Sequence, residues 1–378
     1  MRNWCIVMSA SESQIVAHSA ATDPVEALRD TLSEILAGLV AAGCGPHHLT
    51  GMDWESADPA AFHLSRHTVE LAYREVFAGF RPPIRQQPGA EPGLTIRARH
   101  AVPQPLPEIE VEGYTLRELG RQYSPRLQAD MTALFRRWSR EGEAFRTGHG
   151  GLDLTYGPSR FETLDLYRPA GVARAPIFVF IHGGYWQASD KHQHAQFSQG
   201  LLDAGFAVAQ PNYGLAPDTP LEASIAQTVA ALNFLVREAD ALGLDSAQLH
   251  ISGHSAGGHL AAMALCDPAA PPIASALLLS GLYNLRPVGH LPIGRLLGLD
   301  DAERAARLSP LGSPRRSKAR LAFAVGEGES EAFKRQSATL AAAWQAPEPL
   351  ICAGHHFSML DGLNGGGLLD LALRTAKT

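Results

Sequence analysis

The stretch Gly253-His254-Ser255-Ala256-Gly257 decides how this chain is read. It follows a short apolar run, Ala247 to Ser252, and opens the helix-like segment His259 to Leu265. A G-x-S-x-G turn reverses the chain sharply from strand to helix, and only small residues fit beside its serine. The hydroxyl is thereby lifted clear of the backbone at a strand end, which makes Ser255 the candidate nucleophile. Five residues of this kind also suit an ordinary turn, so the weight of the pattern rests on its surroundings.

Upstream, Pro176 to Ile181 reads as a buried parallel strand running into His182-Gly183-Gly184-Tyr185-Trp186. Adjacent glycines there let backbone N–H groups face a bound carbonyl. In an α/β-hydrolase the loop after this strand supplies half of the oxyanion hole, and the residue after the nucleophile supplies the rest. Gly183, Gly184, Tyr185 and Ala256 are therefore the candidate oxyanion residues, and Tyr185 and Trp186 are candidate walls of a substrate pocket. The same fold places an acid after a late strand and a histidine after the last one. Gly326 to Glu331 follows the strand-like Leu321 to Val325, and Ala353 to Phe357 follows Pro349 to Cys352, nominating Glu329 and His356. Glu327, Asp300 and Asp301 stand as alternative acids and His355 as an alternative base. His182 and His254 read as hydrogen-bonded turn residues.

Composition fits a soluble enzyme acting on a small molecule. The 378 residues are 45% apolar, enough for a sizeable core, and the net charge of −6 with no basic run argues against nucleic acid. The start, Met1-Arg2-Asn3-Trp4-Cys5, has no secretory apolar region, and no apolar run approaches a membrane span, so a cytoplasmic protein without a membrane partner is expected. Four scattered cysteines, Cys5, Cys44, Cys266 and Cys352, form no metal or disulfide spacing and read as buried free thiols. His192-Gln193-His194 lacks supporting ligands, so neither a metal nor another cofactor is expected.

The proline-rich Val102 to Pro107 has the composition of a stiff linker and sets a domain boundary near residue 110. Residues 1–110 read as a small α+β unit. Its first helix starts at Asp23-Pro24, carries Val25, Leu28, Leu32, Ile35, Leu36 and Leu39 on one face, and closes at Gly43; a strand follows at Leu49 to Trp54, then a helix from Pro59 to Phe77 and a strand at Leu94 to Ala98. Residues 111–378 alternate strands with helices, the pattern of a doubly wound, mostly parallel α/β sheet. Strands are expected at Glu162 to Tyr167, Ile177 to Ile181, Ala207 to Pro211, Gln248 to Ser252, Ala276 to Leu279, Leu321 to Val325 and Pro349 to Cys352. Gly113 to His149 is left as a lid or a flank.

Three strings, His182 to Gln187, Gly253 to Met263, and Glu329-Ser330 through Phe333 to Arg335-Gln336-Ser337, together resemble the serine-dependent kynurenine formamidases across most of residues 113–378. Tyr123-Ser124-Pro125 and Tyr156-Gly157 extend the likeness. It implies cleavage of an N-formyl arylamine to formate and amine by Ser255, Glu329 and His356, with glutamate where animal members carry aspartate. A carboxylesterase would need the same residues, and a non-catalytic ligand-binding protein is the alternative of another class. Residues 1–110 resemble the Rid family of enamine/imine deaminases, in which the arginine at the Arg85 position binds a substrate carboxylate. The usual opening strand with its G-x-Y-S-Q sequence is expected to be lacking, and Thr95 and Arg97 stand where deaminating members carry glutamate. The likeness implies a homo-oligomer, most simply a trimer.

Overall fold

The computed structural model describes residues 4–8, 12–21, 23–41, 49–57, 69, 72, 73, 76, 77, 82–90, 93–101, 110–128, 131–149 and 153–377. The chain divides into two compact units, Met1–Glu108 and Ile109–Thr378. Val102 to Pro107 and Gly43 lie outside the described residues, as does most of the helix expected from Pro59 to Phe77, of which residues 69, 72, 73, 76 and 77 are helical.

The first unit holds a five-stranded sheet in the order β1-β2-β5-β3-β4, from β1 (Trp4–Met8), β2 (Glu12–Ser19), β3 (Leu49–Ser56), β4 (Ile84–Pro88) and β5 (Leu94–Ala101). Pairing is antiparallel except between β3 and β4. Helix α1 (Pro24–Ala41) starts where the Asp23 carboxylate accepts the Glu26 N–H at 2.8 Å. Its stripe of Leu28, Leu32, Ile35 and Leu39 packs against Ile15, Ala17, Ile96 and Ala98. Strands β1, β2 and β4 are absent from the sequence reading. β2 buries Ser13, Ile15, Ala17 and Ser19 on one face, two of them serines, and β4 is exposed at every residue along a sheet edge, so neither carries a clear apolar signal; β1, Trp4-Cys5-Ile6-Val7-Met8, opens the unit with an apolar run.

The second unit is built on an eight-stranded sheet in the order β15-β14-β13-β12-β10-β11-β9-β8. Its strands are β8 (Leu154–Thr155), β9 (Thr163–Tyr167), β10 (Ala175–Ile181), β11 (Ala207–Pro211), β12 (Leu244–His254), β13 (Ser275–Leu279), β14 (Arg320–Gly326) and β15 (Leu350–Cys352). All pairs from β11 to β15 are parallel, and β9 alone is reversed, pairing antiparallel with both β11 and β8. β10 shows why the run is apolar throughout: Ile177, Val179 and Ile181 enter one core cluster, and Phe178 and Phe180 enter the other. Each such side chain, fully buried, contributes about 1.5–3 kcal/mol. The first cluster is shared with α4 (Leu221–Arg237), α5 (Ala256–Cys266) and α6 (Glu331–Ala343), the second with α3 (Met131–His149) and α7 (Gly367–Lys377).

Before the sheet come a two-stranded hairpin, β6 (Glu110–Val111) with β7 (Tyr114–Thr115), and α2 (Leu116–Gln122). Thr115 and Glu118 close a reciprocal capping box on α2. The open question over Gly113 to His149 divides here: α3 is a flank, held by the buried Trp138 against Phe197 and by Arg146 Nε to Asp165 at 2.9 Å. No described helix is long and apolar enough to cross a membrane. Cys266 and Cys352 are free but half-buried rather than fully buried.

Candidate active site

Ser255 stands between β12 and α5 at φ 57° and ψ −117°, in backbone territory that side-chain-bearing residues avoid. The turn is held from both sides, with the Ser255 N–H donating to Leu279 O at 2.9 Å and the His259 N–H donating to Ser255 O at 3.1 Å. The flanking glycines are sterically required. A Cβ on Gly253 would lie 2.1 Å from Gly257 O, and one on Gly257 would lie 2.1 Å from Ile181 O. Ala256 is the first residue of α5, so its N–H has no partner within the helix.

The loop after β10 passes directly over this elbow, because a Cβ on Gly183 would meet His254 O at 3.0 Å and Ser255 Cβ at 3.2 Å. Gly184 takes φ 112°, and Tyr185 and Trp186 follow at 52° and 56°. Among the described residues no acceptor takes the N–H of Gly184, Tyr185 or Ala256. Three anchors hold the loop: Tyr213 Oη donates to His182 O at 2.9 Å, the Ala216 N–H to Trp186 O at 2.8 Å, and Trp186 Nε1 to His259 Nδ1 at 3.2 Å. This corrects the expected role of Trp186. With 0% of its surface exposed and its N–H spent on His259, the indole is a loop anchor and not a pocket wall. Tyr185 stays partly exposed, its hydroxyl donating to Tyr123 O at 2.5 Å.

Of the candidate carboxylates, Glu329 is the one that meets His356, Oε2 to Nδ1 at 2.6 Å. Its Oε1 accepts from Ser280 Oγ at 2.5 Å and from the Gly326 N–H at 2.8 Å. Burial pushes the Glu329 carboxyl up, but the charge and hydrogen bond of His356, with the Ser280 and Gly326 donors, outweigh it and hold the group below the usual carboxylate range. Glu327 is exposed, and Asp301 caps the short helix Ala302–Arg307. His355 Nδ1 is turned to the Phe357 N–H at 3.2 Å. His254 Nε2 donates to His356 O at 2.7 Å, and the Phe333 ring lies 4.7 Å from the His356 ring, so main chain and ring are both fixed beside the residue preceding Ser255. No hydrogen bond joins Ser255 Oγ to the His356 ring among the described residues; such contacts often tighten only with substrate. Ser280 was not legible in the sequence, since nothing in the string links a serine after β13 to an acid 49 residues later.

Elsewhere, Arg85 is exposed on β4, facing Asp53 across the parallel ladder. Arg97 Nε is spent on Glu55 at 2.8 Å, and Thr95 Oγ1 meets His18 Nδ1 at 2.9 Å. One group among the described residues, Asp153, Asp165 and His192, brings metal-type donors together. Lys191 and Arg146 ion-pair with both carboxylates, so two cations already occupy the place of an ion.

The BD-FAE family matches residues 164–269. A kynurenine formamidase of Danio rerio is 30% identical over 197 residues, 49% of this chain and 66% of that protein. One of Salmo salar is 29% identical over 282 residues, 66% of this chain and 92% of that protein. A solved structure from Silicibacter sp. TM1040, described as a "putative thioesterase", is 30% identical with a TM-score of 0.61, covering 67% of this chain and 98% of its own.

Proposed function

We propose, from the premise that this chain belongs to the α/β-hydrolases and is a serine hydrolase, that it cleaves a small N-formyl or N-acyl arylamine as the kynurenine formamidases do. The observation that carries the reading is the buried Glu329–His356 pair at 2.6 Å, set beside the Ser255 elbow. Ser255 Oγ attacks the formyl carbon while His356 Nε2 takes its proton. Glu329 holds the ring with Nδ1 protonated and stabilises the imidazolium. The oxyanion sits against the N–H of Ala256 and that of Gly184 or Tyr185, where one donor is typically worth about 3–4 kcal/mol. Collapse breaks the C–N bond, and His356 passes its proton to the departing amine. Water, deprotonated by the same histidine, then releases formate and restores Ser255.

The test measures amine and formate release from N-formylkynurenine and N-formylaniline beside hydrolysis of short aryl esters. Higher kcat/KM on the formamides supports the reading, and preference for the esters makes the enzyme a carboxylesterase. Activity lost with fluorophosphonate labelling in Ser255→Ala is expected. A wild type that neither turns over nor labels is a ligand-binding protein on this fold.

Residues 1–108 fit a Rid-like module that assembles the chain into a trimer in the cytoplasm, which light scattering on the whole protein tests directly. Arg85, exposed on β4, is the residue that would hold a carboxylate there, and an N-acyl enamine substrate would feed such a site with the imine of its product. With Arg97 paired to Glu55, a scaffold role without deamination is the simpler outcome. Unchanged ammonia release in Arg85→Ala would establish it.

A further inference from the structure

Two strings remain unused by the triad, Tyr123-Ser124-Pro125 and the Ser330 to Ser337 run, and the structure sets them against each other. Tyr123 O accepts the Tyr185 hydroxyl of the oxyanion loop at 2.5 Å. One residue earlier, Gln122 O accepts Ser330 Oγ at 2.6 Å and Gln122 Oε1 accepts the Ala332 N–H at 3.1 Å, at the start of α6 and directly after Glu329. Gln336 Nε2 donates to Tyr123 Oη at 2.9 Å, while its Oε1 takes the N–H groups of Tyr283 and Asn284 at 2.8 and 2.7 Å. The Tyr123 ring lies 6.0 Å from Phe333, which packs on His356 at 4.7 Å.

The two loops bridged in this way leave β10 and β14, strands separated by β12 and β13 in the sheet. No hydrogen bond runs directly between residues 182–190 and residues 326–336 among the described residues, so Gln122 and Tyr123 carry the polar link between them. The capping box on α2 and the burial of Leu119 and Tyr123 make that link stiff. Oxyanion donors act only when held to within a fraction of an ångström of the developing charge.

Resting on the triad reading above, we propose that Gln122 and Tyr123 form a positioning strap, which locks the loop carrying the oxyanion donors to the loop carrying the acid and so sets kcat without touching substrate. Gln122 and Tyr123 are positioning residues, acting through Tyr185 and through the start of α6.

The experiment is a double-mutant cycle on the whole chain with Gln122→Ala, which removes the bond to the Ala332 N–H and leaves the Gln122 O–Ser330 and Tyr123–Gln336 bonds, and Tyr185→Phe, which removes the bond to Tyr123 O. Each is expected to lower kcat about tenfold with KM changed less than about twofold. The double variant is expected to fall by clearly less than the product of the two single losses, because both bonds serve the same link. Gln122→Glu keeps the acceptor for the Ala332 N–H at a helix start that favours negative charge, and is expected to restore kcat. Thermal melting is followed alongside; should Gln122→Ala fail to fold, Tyr185→Phe and Gln122→Glu carry the test. Multiplicative losses near a hundredfold, a change confined to KM, or Gln122→Glu as slow as Gln122→Ala overturns the strap. A Gln122→Ala protein with normal kcat and normal fluorophosphonate labelling overturns it alone, whereas a wild type that resists labelling overturns the triad reading and the strap with it.

Discussion

Replacing Glu329 with glutamine keeps shape and volume and changes only what the two terminal atoms can do. The carboxylate accepts three hydrogen bonds, from His356 Nδ1, Ser280 Oγ and the Gly326 N–H. Glutamine has one acceptor oxygen. If that oxygen faces His356, the amide NH2 lies where Oε1 was; Ser280 can rotate its hydroxyl and accept, but the Gly326 N–H cannot, and two donors meet across 2.8 Å. Leaving a buried donor unpaired costs about 1–3 kcal/mol before the repulsion is added. The favoured rotamer therefore points NH2 at His356 Nδ1, which must then accept, and the imidazole proton moves to Nε2, where it blocks transfer from Ser255. At about 1.4 kcal/mol per decade, a bias near 3 kcal/mol leaves roughly one molecule in a hundred competent. The kcat of Glu329→Gln on an aryl formamide is expected to fall about a hundredfold or more with KM nearly unchanged, and Glu327→Gln to stay within about twofold. A Glu329→Gln enzyme within about threefold of wild type refutes the reasoning.

Burial lowers His182 and His259 to about 4 and His194 to about 3 from the ordinary 6.5. Because the unfolded chain binds these protons first, their contribution is fully present above pH 6.5 and is lost as pH falls toward about 4, at about 2 kcal/mol each by pH 5; urea midpoints unchanged between pH 7 and pH 5 would contradict it. Gly183→Ala sets a Cβ 3.0–3.2 Å from His254 and Ser255, so about tenfold of kcat should go with the fold intact, whereas Gly257→Ala, 2.1 Å from Ile181 O, should give no folded protein. Circular dichroism and kinetics on the pair separate the two outcomes. Trp186→Phe should reduce stability by about 1–3 kcal/mol through the orphaned His259 Nδ1, with KM hardly changed. A large rise in KM would return the indole to the substrate pocket.

The parallel strands were legible because each is a short apolar run, which the sheet buries on both faces in β10, β11 and β13 though not at the edge strand β15, and the elbow because its small residues answer a steric demand within five positions. The first unit was harder. β2 puts Ser13 and Ser19 beside Ile15 and Ala17 on its buried face and Val16 on the other, so the alternation is weak, and β4 buries nothing to mark it. At the site, Glu329 and His356 could be found from their places after strands. Ser280, which holds Glu329, and Gln122 and Gln336, which brace the segment after it, could not, because they are polar residues whose bonds span tens to hundreds of positions. Trp186 was misplaced for a related reason: an aromatic beside two glycines suits a pocket wall as well as an anchor, and only the His259 ring distinguishes them.

The Trp186–His259 bond has a mechanical side. His259 lies one turn into the helix that begins at Ala256, and its Nε2 donates to Leu308 O at 2.7 Å, which leaves Nδ1 a lone pair for the indole N–H. The two proposed oxyanion donors belong to separate segments, yet this bond ties one segment to the other close to both, so their thermal displacements should be correlated and the gap between them should vary less than either position does. The tie also has a built-in release, since a proton on His259 Nδ1 would face the indole N–H donor to donor and uncouple the loop from the helix.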